Sequence, residues 1–190
     1  MPPDDAERIH PASRDEWRAW LAEHHTRGNG VWVVTWRTGS GHVPLDYEDQ
    51  VLEALAHGWI DSTRTVIDDE RAMMWFAPRR SGSTWVRSNK QRVARLEAEG
   101  RMEPAGRAKV EEARASGMWT LLDDAEDGVE PPDLVEALDA DPAARATWTA
   151  LPPGVRKTVL VEVALARRPS TRRRRIEKAV AACARGDRPA

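Results

Sequence analysis

The first third of the chain switches between helical and strand-like spacing of its apolar residues. The run Ser13-Arg14-Asp15-Glu16 is typical of a capping box, and apolar residues at helical spacing follow it. After the turn Gly28-Asn29-Gly30, the alternating residues Val31–Trp36 predict a β-strand. A second helix is expected from Asp46 to Gly58, where a glycine suits the left-handed end of a helix.

A hairpin and two more helices are predicted next. Residues 59–67 and 71–77 are rich in β-branched, aromatic and methionine side chains, and the polar residues 68–70 between them indicate a turn. Helices then follow from Ser83 or Thr84 to about Ala98, and from Pro104 to a stop at Gly117. Residues 13–120 therefore predict an α+β unit built around a small antiparallel sheet.

The remainder of the chain predicts helices only. Residues 121–132 are acidic and lack apolar periodicity, which indicates a connector. Residues 133–190 form a helical C-terminal segment that we expect to pack on the α+β unit. Its helices are expected at about 133–150 with a break at Pro142, at 153–167 and at 170–185.

Charge is unevenly distributed, although the formal net charge is only -2. Basic residues dominate 71–101 and 166–190, whereas 123–141 contain acids and no basic residue. Two explanations stay open: the acidic and basic segments complement each other, or the basic ones meet an anionic partner.

The same composition favours a cytoplasmic location. The single cysteine, Cys183, has no partner for an internal disulfide. The first residues are acidic and proline-rich, and no run approaches the roughly 18 apolar residues of a membrane span.

Common catalytic motifs are absent from the sequence. No pair of the five histidines has the spacing of metal ligands on a helix, and there is no second cysteine for zinc. No nucleophile elbow and no glycine-rich phosphate loop occur. We expect no metal and no cofactor, and the sequence favours a non-enzymatic role.

One polar cluster remains as a candidate site. Asp61 lies on the first hairpin strand, where strict alternation places it on the same face as Trp59 and Thr63. Arg79 follows the paired strand, so the two charges are expected to approach each other. Helical spacing puts the amide of Asn89 on an apolar face, where it needs hydrogen-bond partners.

Two interpretations of this cluster stay open. It is either a structural polar network that pins the sheet to the third helix, or a pocket. In the pocket, Trp59 and Trp85 would form the walls, and Arg79 with Arg80 would hold an anionic group.

The run of arginines at 172–175 allows a nucleic-acid interpretation. The alternative is a solvated helix face, since Arg173 and Arg174 point away from the apolar side of the helix. Arg172 differs, because its spacing from Ile176 puts it on the buried side, from which it would reach the first unit.

Six segments together form a recognisable pattern: residues 54–62, 76–79, 83–85, 100–106, 113–119 and 171–176. In these segments the chain resembles the YdeI/OmpD-associated family, also known as bacteriocin-protection proteins. The resemblance extends from Trp17 to about Ala184 and implies an α+β first part and a helical second part. It implies an association with bacterial stress and tolerance of antimicrobial peptides, and brings no mechanism or cofactor. Its motif positions here are Trp59, Asp61, Arg79, Trp85, Asn89 and Arg172.

The function expected from these observations is non-enzymatic: a bacterial stress or bacteriocin-resistance protein that binds a small anionic ligand or a protein partner at the tryptophan, acid and arginine cluster. One alternative is an enzyme of unknown class that uses Asp61 and Arg79. The other is a weak binder of nucleic acid through the C-terminal arginines.

Overall fold

A computed structural model describes residues 5–189 of the chain. The elements in chain order are β1 (Arg8–Ile9), α1 (Arg14–His24), β2 (Val31–Trp36), α2 (Tyr47–Ala56), β3 (Trp59–Val66), β4 (Arg71–Pro78), α3 (Arg87–Ala98), α4 (Pro104–Ala115), α5 (Asp123–Asp127), α6 (Pro132–Asp139), α7 (Pro142–Ala150), α8 (Pro153–Ala164) and α9 (Pro169–Ala184). The α+β class and the helical C-terminal segment are confirmed, and the expected break at Pro142 separates α6 from α7.

The sheet has the strand order β1-β2-β4-β3. Strands β2, β4 and β3 are antiparallel, as predicted, whereas the short β1 pairs with β2 in parallel and makes the sheet mixed. Sequence patterns did not predict β1, because a strand of two residues shows no alternation. The hairpin turn needs no glycine, because Asp68 Oδ1 accepts hydrogen bonds from the backbone N–H groups of Glu70 (3.0 Å) and Arg71 (2.7 Å).

A β-bulge interrupts the pairing of β3 with β4. Asp61 pairs with Phe76 and Arg64 with Met74, so Ser62 and Thr63 together lie opposite Trp75 alone. Residues paired across antiparallel strands project to the same face of the sheet. The prediction that Thr63 shares a face with Asp61 is therefore wrong: the extra residue in the bulge brings Arg64 to that face instead.

Chain contacts divide the protein into two compact units. The first consists of Met1–Ser83 and Ser88–Ser116, and the second of Thr84–Arg87 and Gly117–Ala190. In the first unit, Trp17 of α1 is fully buried, packs against Phe76 of β4 at 5.3 Å between ring centroids, and donates its indole N–H to Gln50 O (3.0 Å). This bond ties α1 to α2 beside the sheet.

The second unit has its own apolar core. Its members come from α5 to α9. The segment interpreted as an acidic connector contains α5, whose Ala125 is buried in this core. The single cysteine, Cys183, is a buried thiol in the same core.

Candidate functional site

A cleft of about 580 Å³ lies beside the first turn of α2 in the first unit. Residues from β2, β3, β4 and the segment leading into α2 line it. Its apolar lining includes Trp36, Leu45, Met73 and Met74, and its polar lining includes Arg37, Asp46, Tyr47, Gln50, Asp61 and Arg64. We call it the Asp61 cleft.

The carboxylate of Asp61 is held by a tyrosine in this cleft. The hydroxyl of Tyr47 donates to Asp61 Oδ2 over 3.0 Å. Burial and, next, the negative charge of Asp61 raise the pKa of the Tyr47 phenol. The phenol therefore remains protonated at neutral pH and acts as a hydrogen-bond donor to Asp61.

Asn89 is buried, at 8% exposed, as its helical spacing predicted. Its Oδ1 accepts from Arg92 Nη1 (2.9 Å), and the same guanidinium donates to the carboxylate of Glu48, with a shortest distance of 2.7 Å. The guanidinium carbon of Arg92 lies 5.9 Å from the centroid of the Tyr47 ring. Asn89 thus positions an arginine on α3 against the first turn of α2.

A second cleft, of about 1020 Å³, contains the arginines of the predicted site. Its lining includes Arg79, Arg80, Arg27 and Lys109, together with residues 28–30. We call it the Arg79 cleft. Gly30 lies so close to β4 that an added Cβ would be 2.4 Å from both Phe76 O and the Trp75 ring.

Arg79 is 4% exposed, and its backbone N–H donates to Gly58 O (2.9 Å). Burial lowers the pKa of Arg79 to about 10, and the charge of Asp61 opposes that shift. The guanidinium is therefore still charged at neutral pH, although its burial has removed most of its hydration.

The other cations of the Arg79 cleft differ in how they are engaged. Arg27 is paired with Glu7 (2.6 Å), and Lys109 is paired with Glu112 (3.0 Å). Arg80 is exposed, and its guanidinium makes no hydrogen bond or ion pair within residues 5–189.

The predicted site residues are thus divided. Asp61 lines one cleft and Arg79 and Arg80 line the other, while Ser62 of the bulge lines both. Trp59 and Trp85 are buried and line neither cleft. The indole N–H of Trp59 donates to His25 O (3.0 Å), and in the second unit Trp85 packs against Trp119 at 5.1 Å between ring centroids.

Arg172 belongs to the second unit. It donates to both carboxylate oxygens of Asp133, at 2.6 and 2.8 Å, and to Val163 O (3.2 Å). The neighbouring Arg175 donates to Glu162 O. Arg173 and Arg174 are exposed, as expected for the outer face of the helix. Two of the four arginines are therefore engaged in contacts within their own unit.

Sequence patterns missed Tyr47 and Gln50 as site residues. They are three residues apart at the start of α2, a spacing that places two side chains on the same helix face. Tyr47 lies at the surface and is 44% exposed. The sequence signal that could have identified them is a tyrosine followed by a glutamine one helical turn later.

The described part of the chain has neither a cluster of metal ligands nor a membrane-spanning helix. Among residues 5–189, no group of three or more histidine, cysteine, aspartate or glutamate side chains is arranged to hold a metal ion. None of the helices in that range is long and apolar enough to cross a membrane.

The fold and these clefts define an α+β protein with a helical C-terminal unit. The chain belongs to the family described as Domain of unknown function (DUF8412), whose sequence model matches residues 9–109. Residues 127–186 match the family described as Bacteriocin-protection, YdeI or OmpD-Associated. No curated protein and no solved structure matches the chain.

The second match confirms the resemblance over a shorter range than the expected Trp17 to Ala184. It suggests a bacteriocin-protection-associated role. Of the motif positions, Arg172 lies within that match, whereas Asp61, Arg79 and Asn89 lie in the range of the other family.

Proposed function

We propose that the protein is a non-enzymatic binding protein of the bacterial stress or bacteriocin response, and that it takes a small anionic ligand in the Arg79 cleft. We place it in the cytoplasm, consistent with its single cysteine. The observation that carries the proposal is a nearly buried guanidinium, Arg79, followed directly by an exposed one, Arg80, in a single cleft.

The energetic cost of burying the charge of Arg79 favours the binding of an anion beside it. A charge removed from water is costly unless opposite charge compensates it, and the pKa of Arg79 is lowered by that removal despite the charge of Asp61. A carboxylate or phosphate bound at Arg79 would supply further compensation. A guanidinium binds such groups through two parallel N–H donors, which also orients the ligand.

Arg80 adds the second point of attachment. Its charge is not already neutralised by a described acid, in contrast to Arg27 and Lys109, which have carboxylate partners. Because Arg80 is exposed, it can reach an anion that has entered from solvent. A ligand with two anionic groups, or one phosphate, matches this pair of cations.

Inorganic phosphate and citrate are suitable probes, with sodium chloride added to equal ionic strength as the reference. We expect phosphate or citrate to raise the melting temperature of the wild type above that reference, because a ligand of the native state stabilises it. The Arg80→Ala variant should bind about tenfold more weakly by calorimetry, since one charge-assisted hydrogen bond is lost.

Arg95→Ala is the matched control. Arg95 is an exposed arginine of α3 outside the Arg79 cleft, and its replacement removes the same charge. It should leave phosphate and citrate binding unchanged. Equal affinities of the wild type, Arg80→Ala and Arg79→Lys for both anions would overturn the proposal.

A further inference from the structure

The Asp61 cleft contains a buried hydrogen-bond acceptor that no described residue satisfies. Gln50 is 4% exposed and lines the cleft. Its Nε2 donates to Leu45 O (2.9 Å), which fixes the orientation of the amide. Its Oε1 is buried and accepts no hydrogen bond within residues 5–189. A donor from outside the chain would complete the hydrogen bonding of this amide.

Asp61 provides a second acceptor, and it carries charge. The proton of Tyr47 is donated to Oδ2. The other oxygen, Oδ1, accepts no hydrogen bond from the part of the chain that the structure describes. The Tyr47 hydroxyl thus already donates to Asp61, and the hydrogen-bonding positions that remain unfilled on Asp61 and Gln50 are acceptors.

The arginines that line the cleft do not remove its preference for a ligand that donates hydrogen bonds. Arg37 is tied to the hairpin turn, because its Nη1 donates to Asp68 O (3.0 Å) and Asp69 O (3.1 Å). Arg64 is exposed, and the bulge brings it to the same face of the sheet as Asp61. It is therefore available to a second group of the ligand at the solvent side.

We propose that the Asp61 cleft binds the protonated amine of a small ligand whose apolar body lies against Leu45 and Met74. An ammonium group has three donors and no acceptor, which suits the unfilled acceptors of Asp61 and Gln50, and its positive charge is attracted by Asp61. A neutral amide or alcohol could donate a hydrogen bond to either acceptor but would lack the attraction between opposite charges at Asp61. The apolar lining supplies the contact for a hydrocarbon side chain.

This inference is independent of the proposed anion site, because it uses a different cleft and different residues. Two sources share the required chemistry. In a simple amine the ammonium acts alone, whereas in a free amino acid the carboxylate would also meet Arg64. Leucine amide and leucine distinguish the two sources, since they differ only at that carboxylate.

Calorimetric titration with three probes tests the inference on the intact chain. Leucine amide should bind, and N-acetyl-leucine amide, which keeps the apolar body and lacks the ammonium, should bind at least about tenfold more weakly. Leucine binding more tightly than its amide, with the advantage lost in Arg64→Ala, would identify an amino acid as the ligand type. Equal binding of leucine and its amide would identify a simple amine.

The key variant is Asp61→Asn, which preserves size and removes the charge. It should weaken leucine amide binding about tenfold, whereas the matched control Asp69→Asn, an exposed aspartate of the hairpin turn outside the cleft, should not. Arg80→Ala should also leave this affinity unchanged, which separates the two sites. An unchanged near-ultraviolet circular dichroism spectrum shows that Asp61→Asn is folded.

Three results would overturn the inference. They are the absence of leucine amide binding to the wild type at millimolar concentration, equal binding of the acetylated probe, and unchanged affinity in Asp61→Asn.

Discussion

Glu53 Oε1 accepts a hydrogen bond from Arg101 Nη2 over 2.6 Å, although the two residues are 48 positions apart. Two arginines of α1 bind the same carboxylate: Arg14 through Nε (2.5 Å) and Arg18 through Nε (2.9 Å) and Nη2 (2.9 Å). Glu53 is 2% exposed. One buried acid of α2 thus connects α1 to the segment between α3 and α4.

We expect Glu53→Gln to destabilise the protein by about 2–3 kcal/mol, because it removes the buried acid that three arginines share and leaves them only their more exposed partners Asp49, Asp15 and Glu99. The measurement is urea denaturation followed by tryptophan fluorescence. Glu97→Gln is the control, since Glu97 is an exposed glutamate of α3 and its replacement changes the charge equally. A loss no larger than that of the control would show that the arginines do not depend on this acid.

The same cluster predicts a loss of stability in acid. Burial would raise the pKa of Glu53, but hydrogen bonds and charge from Arg18 and Arg14 outweigh it and lower the pKa below its ordinary value. A lowered pKa stabilises the fold above the unfolded value of about 4.3. That contribution is lost as the pH falls below this value and through the folded pKa. The wild type should therefore lose more stability than Glu53→Gln over this range, and parallel pH profiles would contradict the assignment.

Gly106 provides the third prediction, which concerns the contact of α4 with the end of α2. A Cβ added there would lie 2.3 Å from Ala56 O and 2.7 Å from Leu55 O. The first of these carbonyls is held in place by a hydrogen bond from Glu103 N (3.2 Å). Gly106→Ala must push α4 away from α2, and we expect a loss of about 2–3 kcal/mol in urea denaturation.

The matched control for Gly106 is Gly154 in α8. Both glycines follow a proline that begins a helix, but a Cβ added at Gly154 meets nothing within 4 Å. Since alanine is the better helix former by about 1 kcal/mol, Gly154→Ala should be neutral or stabilising. Equal effects of the two substitutions would mean that helix propensity, and not the contact with α2, decides the result at Gly106.

Local signals predicted most of the fold. The capping box at Ser13 was predicted in sequence, and its hydroxyl accepts from Glu16 N (3.2 Å) in the structure. Gly58 has the expected left-handed conformation, with φ 79°. In both places the determining interaction lies within a few residues, so a single stretch of sequence contains it. The strand β1 and the short helix α5 were missed because they are too short to show a period.

The site was predicted less completely, since it depends on contacts between distant residues. The bulge at Ser62 and Thr63 leaves no clear mark in the sequence, yet it decides which residues share the face of Asp61. The arginine cluster at Glu53 was missed as well, although a glutamate within the otherwise apolar run 51–56 was a usable signal. A charge in such a run needs partners that only the folded chain identifies.

Arg172 provides the last prediction, because it decides between a ligand contact and a structural role. Its two-oxygen contact with Asp133 lowers the pKa of that acid and joins α9 to α6. Since both side chains are partly exposed, Arg172→Ala should cost only about 1 kcal/mol in urea denaturation. Arg173→Ala, which removes the neighbouring exposed arginine, should change stability by less than about 0.5 kcal/mol.

Neither variant should alter phosphate binding. If Arg172→Ala abolished phosphate binding without loss of stability, Arg172 would be a ligand contact instead of a link between two helices.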